Sequence, residues 1–228
     1  MRSWYNVVFF ANTMLQKKAT SYQRRAGRLS SQQREQLMSS PFLLEEPKCG
    51  LISEITRDYK KTCIEIGFGM GDHLIDNFSK HADHIFIGID LYRAGVARVL
   101  SAIEKAQSTN CYVICEDACH VIENMTSTSI DRIDIHHPDP WPKKRHHKRR
   151  IIHPEFLKEA IRVIKHDGII EIITDDINYF QDMIELIESQ CQQQCRIDIS
   201  KNLDPKSKYG RKAHQEGRSI NAITLIKY

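Results

Sequence analysis

The feature that most constrains this chain is a regular alternation running from residue 62 to residue 191. Short apolar runs of strand length are separated by stretches with helical spacing. Thr62–Ile66, His84–Ile89, Cys111–Cys115, Ile130–His136 and Gly168–Thr174 read as strands. After the first comes a glycine-rich turn, Gly67–Gly71, and a helix reaching about Lys80. Ala94–Ala106 carries apolar residues at Val96, Val99, Leu100 and Ile103, the stripe of a helix that lies on a sheet. Ala118–Met125, Pro154–Ile164 and Tyr179–Cys191 complete the helices, and Pro154 stands where a first turn tolerates proline. Strict strand–helix alternation implies a parallel, doubly wound α/β sheet that takes ligands beyond the carboxyl ends of its strands. Two last strands, Arg196–Ser200 and Asn221–Ile226, flank a segment too polar and basic for a good crossover helix, so an antiparallel hairpin should close the sheet.

Ahead of this pattern, residues 1–48 are basic, rich in Gln and Ser, and bounded by Pro41 and Pro47. They are expected to form an N-terminal extension, with one domain over residues 49–228. No stretch approaches the roughly 18 apolar residues of a membrane span, which points away from membranes and toward the cytoplasm. The net charge of +4 conceals a segregation. Residues 1–34 hold seven Lys and Arg and no acid, and residues 143–150 hold six more and no acid. The rest of the chain has 20 basic residues against 29 acidic ones. Two cationic segments on an acidic body suit a polyanionic partner, because each phosphate contact releases a condensed counterion. The seven cysteines show no close Cys-x-x-Cys pair and are expected as reduced, mostly buried thiols, with no metal site.

Glu65-Ile66-Gly67-Phe68-Gly69-Met70-Gly71 follows a strand and opens a helix. Gly67, Gly69 and Gly71 let the backbone turn tightly and approach a ligand. Their spacing, G-x-G-x-G, differs from the dinucleotide fingerprint. Asp90, at the end of the second strand, suits a ribose diol, and Asp117, after the third, suits an adenine amino group. Glu65 is placed for an amino-acid moiety. Jointly these describe a nucleoside carrying a charged amino-acid tail; singly, each acid can equally be a helix cap or a surface charge. The second motif, His137-Pro138-Asp139-Pro140-Trp141-Pro142, leads into Lys143-Lys144-Arg145-His146-His147-Lys148-Arg149-Arg150. Prolines stiffen the loop, so a carboxylate, an aromatic face and a cationic ladder follow in fixed order. The edge of a guanine donates to a carboxylate, its face stacks on an aromatic ring, and phosphates pair with Lys and Arg.

With these motifs the chain resembles the bacterial tRNA (guanine-N7-)-methyltransferase family, over most of its length. The Pro-Asp-Pro-Trp stretch running into Lys-Arg-Arg is the family's hallmark. Tyr22–Ser30 resembles its basic N-terminal signature, Glu65–Gly71 and Gly88-Ile89-Asp90 its cofactor motifs, and Thr174-Asp175 its Thr-Asp. The resemblance implies a seven-stranded, class I S-adenosylmethionine-dependent methyltransferase (Rossmann-like) fold. It also implies methyl transfer to N7 of a guanine in tRNA, at position 46 of the variable loop. Glu65, Gly67, Gly69, Gly71, Asp90, Asp117 and Asp139 then fall at the cofactor, and Asp139 at the catalytic position as well. Lys143, Asp175, Ser207, Lys208, Tyr209 and Gly210 fall at substrate positions, and Arg145, His146, His147, Lys148, Arg149 and Arg150 at the RNA. The expected partners are tRNA and S-adenosylmethionine, with the chain a monomer or a homodimer.

This chain departs from the family pattern twice. Ser207-Lys208-Tyr209-Gly210 replaces a Thr-x-x-Glu tetrad and loses its carboxylate, and His137 stands where an apolar aromatic is usual. Three other readings stay open at this point: a non-catalytic RNA-binding relative, a methyltransferase for another base or for a small molecule, and an NAD-linked oxidoreductase. The glycine spacing and Asp117 weigh against the last, and the cationic segments against a small substrate.

Overall fold

A computed structural model describes residues 29–44, 49–203 and 215–228. Its elements, in chain order, are α1 (Ser31–Ser39), β1 (Leu43–Leu44), α2 (Cys49–Thr56), β2 (Lys61–Ile66), α3 (Asp72–Lys80), β3 (His84–Ile89), α4 (Arg93–Ala106), β4 (Cys111–Ile114), α5 (Ala118–Glu123), β5 (Ile130–His136), a 3₁₀ turn (Lys144–Arg149), α6 (Pro154–Val163), β6 (Ile164–Thr174), α7 (Ile177–Cys191), β7 (Cys195–Ser200) and β8 (Asn221–Lys227). They build one eight-stranded sheet in the order β1-β4-β3-β2-β5-β6-β8-β7. Pairing is parallel from β1 to β6, and β8 runs antiparallel between β6 and β7. The direction of the chain reverses about β2, where neighbouring strands go separate ways, and a crevice opens there. Among the described residues, no helix is long and apolar enough to cross a membrane.

Both faces of the sheet are covered, so the central strands are apolar on both sides rather than alternating. Cys63, Phe86, Cys111 and Val113 join Leu74, Phe78, Val96, Val99, Leu100 and Ile103 of α3 and α4 in one core layer. Ile64, Ile66, Ile87, Ile89, Ile133 and Ile135 face the other layer, with Val121, Phe156, Leu157, Ile161, Tyr179 and Phe180 from α5, α6 and α7. Cys63, Cys111, Cys115, Cys119, Cys191 and Cys195 are free thiols.

Beside the helix α2, which the sequence reading did not place, three features of the arm and the sheet differ from the sequence expectation. The seven expected strands are joined by an eighth, β1, which pairs with β4 from within the expected arm. Residues 29–44 are packed rather than extended: Leu37, Phe42 and Leu43 lie against the α3–α4 layer. Gln36 of α1 also donates to Glu104 of α4. The sequence signal for α1 is a capping box, with Ser30 accepting from the Gln33 amide while the Gln33 side chain accepts from the Ser30 amide. Finally, β6 starts at Ile164 and not at Gly168. Ile130 pairs with Ile164, then Arg132 with Ile169, so the intervening His166-Asp167-Gly168 turn is a bulge inside one strand.

Glycines hold the crevice open. A Cβ on Gly95 would stand 1.7 Å from the carbonyl oxygen of Gly69, so α4 starts against the glycine turn only because residue 95 has no side chain. Gly95→Ala should therefore destabilise the fold by at least about 1–3 kcal/mol, the usual cost of overpacking. A urea midpoint unchanged from wild type would contradict this contact.

Candidate active site

A cavity opens at the carboxyl ends of β2, β3 and β5, lined by Gly67, Gly69, Asp90, Glu116, His136 and Asp139 among others. Its floor is the glycine turn, where Gly67, Gly69 and Gly71 have φ of 71°, 57° and 76°. Those values are costly for any residue with a Cβ. A Cβ on Gly67 or Gly69 would meet nothing within 4 Å, so both backbones face open space. Asp90 clamps the turn. Its Oδ2 accepts from the Gly69 amide at 2.6 Å and its Oδ1 from the Tyr92 amide at 2.8 Å. Each carboxylate oxygen has two acceptor sites, so capacity remains for a ligand hydroxyl. Burial pushes Asp90 above the ordinary carboxylate range; amides from Tyr92, Gly69 and Leu91 oppose this, and the nearby charge of Asp139 adds to it.

The other wall is the loop after β5. Pro138, Asp139, Trp141 and Arg149 line the cavity, and Asp139 is exposed at its mouth. The Arg149 guanidinium lies over the Trp141 ring at 4.9 Å, while His146 meets that ring edge-on at 5.7 Å. A cation and an aromatic face are thus presented as one unit. Lys143, Lys144, Arg145, Lys148 and Arg149 are exposed, with His146 and His147 half-buried. The cationic ladder, read from the sequence as a stiffened loop, forms a 3₁₀ turn over Lys144–Arg149.

Several predicted residues lie elsewhere. Arg150 was grouped with the RNA-facing cations; that reading is corrected, because it is only 8% exposed. It donates to the Pro140 carbonyl at 2.8 Å and to Asp182 at 2.6 Å, and it lies over the Tyr179 ring at 4.5 Å. It ties the Pro-Asp-Pro-Trp loop to α7. Asp117 does not line the cavity; it is the N-cap of α5, its carboxylate accepting from the Cys119 amide at 2.9 Å. Its neighbour Glu116 lines the cavity instead, an acid that the sequence reading passed over. The signal was the adjacent pair of acids at a strand end, where only one can cap the helix. Glu65 is 5% exposed, lies behind the glycine turn rather than on the cavity wall, and meets His73 Nδ1 at 3.0 Å. Burial raises Glu65; desolvation would lower His73, but the hydrogen bond and charge of Glu65 outweigh it and raise the imidazole. Asp175 is engaged within the protein, by His137 Nδ1 at 2.9 Å and by Arg218. Ser207, Lys208, Tyr209 and Gly210 lie outside the described residues.

Arg150 and Arg149 should separate on testing. Arg150→Ala should lower stability by about 1–3 kcal/mol. Breaking a fully buried pair costs more, but Asp182 is half exposed and stays hydrated. Arg149→Ala should leave the melting temperature nearly unchanged. Equal melting temperatures for both variants would overturn the structural role given to Arg150.

Comparison with known proteins agrees with this geometry. Residues 59–223 match the family described as "Putative methyltransferase". The chain is 30% identical over 210 residues to a tRNA (guanine-N(7)-)-methyltransferase of Alkalilimnicola ehrlichii, covering 88% of this chain and 89% of that one. It is 35% identical over 213 residues to the protein of the same name from Idiomarina loihiensis, covering 88% and 85%. Among solved structures, the 16S rRNA methyltransferase KamB superposes with a TM-score of 0.60 at 11% identity, covering 81% of this chain and 95% of that one; this shows a shared methyltransferase fold. With a family match that spans most of the described domain and relatives matched along nearly their whole length, the chain belongs to the bacterial tRNA (guanine-N(7)-)-methyltransferase family.

Proposed function

We propose that the chain methylates N7 of a guanine in tRNA with S-adenosylmethionine as donor, at position 46 of the variable loop, in the cytoplasm. One observation carries this reading: the cavity clamped by Asp90 runs directly into the Asp139–Trp141 loop and its exposed cations. A nucleoside donor and a nucleic-acid acceptor would meet along that line. The donor supplies a methyl group already activated on a sulfonium. Gly67 and Gly69 offer open backbone for its tail, and the Asp90 carboxylate keeps acceptor capacity for a ribose hydroxyl. Glu116, at the rim of β4, takes the adenine role first given to Asp117.

Guanine N7 carries an in-plane lone pair and needs no base to make it nucleophilic. The work left to the protein is alignment and charge stabilisation. Asp139, at the cavity mouth, is positioned to accept from the guanine edge and to stabilise the positive charge that develops on the purine. Trp141, with Arg149 held over its ring, offers a stacking face. Arg145, Lys148 and Arg149 reach phosphates, whereas Arg150 does not.

Bulk tRNA incubated with labelled donor should gain label at a base that borohydride and aniline then cleave, and the cleavage site should map to position 46. Asp139→Ala should cut transfer by well over tenfold without loss of folding. A loss within about threefold, under about 0.7 kcal/mol of barrier, would remove Asp139 from the chemistry. Replacing Arg145, Lys148 and Arg149 together by Ala should reduce the salt dependence of tRNA binding by roughly one log–log unit for each phosphate left unneutralised. An unaltered slope would mean that the ladder is only a solvated surface.

A further inference from the structure

On the face of the sheet that α3 covers, three metal-ligating side chains converge: Glu65, which the family resemblance places at the cofactor, His73, and His136, whose strand end also borders the donor cavity. Strand alternation places them. Ile64, Ile66, Ile133 and Ile135 enter the α5–α7 core layer, so Glu65, Asp134 and His136 emerge on the opposite face. Glu65 and Asp134 are register partners across β2 and β5, and His136 follows two residues on. His73, in the first turn of α3, comes down onto them. Its Nδ1 is 3.0 Å from Glu65 Oε2, and its ring meets the His136 ring edge-on with centroids 4.5 Å apart. One ligating atom from each of Glu65, His73 and His136 lies within 4.8 Å of the other two. Ligands at about 2.0–2.1 Å around a tetrahedral zinc ion stand roughly 3.4 Å apart, so small side-chain rotations would close the site.

Two further observations point to a cation. His136 Nε2 is buried and has no hydrogen-bond partner, a condition that costs free energy unless something meets that nitrogen. The surrounding face is acidic. Glu65, Asp134 and Glu171 all lie on it, and Arg132 pairs with Asp134 at 2.7 Å and with Glu171, leaving Glu65 without an Arg or Lys partner among the described residues. Asn77 Nδ2, 3.3 Å from both ring nitrogens of His73, places an amide that can receive the ring's remaining N–H once it turns.

We infer that Glu65, His73 and His136 form a three-ligand site for a divalent transition-metal ion, zinc by the nitrogen–nitrogen–oxygen character of the set, with water as the fourth ligand. The ion joins β2, α3 and β5 where the glycine turn leaves β2 and the Pro-Asp-Pro-Trp loop leaves β5. It braces the cavity from behind, and nothing in this assignment depends on which base the protein modifies.

The test uses the full chain, stripped with chelator and titrated with zinc by calorimetry, with melting temperature and cobalt absorption as further readouts. Wild type should bind one equivalent saturably and gain thermal stability with zinc. Cobalt should give the visible bands of a tetrahedral nitrogen–oxygen site, without sulfur-to-metal charge transfer. His73→Ser and His136→Phe should each weaken zinc by more than the roughly 10–100-fold that loss of an outer-shell partner costs, and should abolish the zinc-dependent rise in melting temperature. Their metal-free melting temperatures report folding separately, and His73 is partly exposed on α3, so its variant should stay folded. Equal zinc affinity in wild type and His73→Ser would overturn the assignment, as would cobalt bands from thiolate ligands. Absence of saturable binding would leave only a Glu65–His73 ion pair and would overturn it too.

Discussion

The hydrogen bond from the Gly69 amide to the Asp90 carboxylate, 2.6 Å long, is the contact on which the site depends. It ties the turn after β2 to the end of β3, and the Tyr92 amide ties the same carboxylate to the start of α4. The turn reaches Asp90 only because Gly69 adopts φ 57° and because Gly95 lets the first turn of α4 stand against the Gly69 carbonyl. Gly71 works the same way from the other side, since a Cβ there would stand 2.2 Å from Val99 Cγ2 of α4. The glycines are thus set by two demands at once, open backbone toward the cavity and close packing beneath it. The second demand is the stronger, because a steric overlap with backbone or core atoms has no low-cost relief.

Much of this architecture was legible because it rests on period and punctuation. The strands from β2 to β8 were placed from apolar runs, most surely β2 and β3, because a strand buried on both faces has little choice of residue type. The antiparallel end followed from a linker too polar to cross the sheet. What escaped was structure too short or too weakly patterned to announce itself. α1 has no apolar stripe and no fully buried residue, and it announces itself only through the Ser30–Gln33 capping box. β1 is two residues long, below the length at which alternation carries any signal. At the site, Asp90 and Asp139 were legible from position alone. Which of Glu116 and Asp117 faces the cavity was not, because that choice is made by the N-terminus of α5 and its demand for a cap.

Charge was legible as a sum and not residue by residue. The run from Lys143 to Arg150 reads as one ladder, yet its last member folds inward while the others stay in water. The difference comes from partners distant in sequence: Asp182 and Tyr179, both on α7, give Arg150 a carboxylate and an aromatic face that no spacing rule could anticipate. The Glu65–His73–His136 cluster was hidden for the same reason. Its members sit on three elements and share no local motif, so an inspection for close Cys and His pairs passes over them.

The loop between β5 and α6 shows why these distant partners matter. His137 and Trp141 adopt φ of 50° and 45°, a left-handed conformation that costs a residue with a Cβ on the order of 1 kcal/mol or more. Such backbone persists only where its surroundings over-determine it. At its start, the His137 amide donates to the Ile173 carbonyl at 2.7 Å and its ring is held by Asp175, itself held by Arg218. At its end, Arg150 grips the Pro140 carbonyl and Asp182. Between these anchors, Pro138, Pro140 and Pro142 remove most of the remaining backbone freedom. The result is a carboxylate and an aromatic ring held beside the cavity before any substrate arrives. For a reaction whose nucleophile and methyl group are both already competent, that prior placement is where an enzyme has the most barrier to remove. The histidine at residue 137 fits this account, because its ring nitrogen joins the loop to Asp175 and an apolar aromatic there could not.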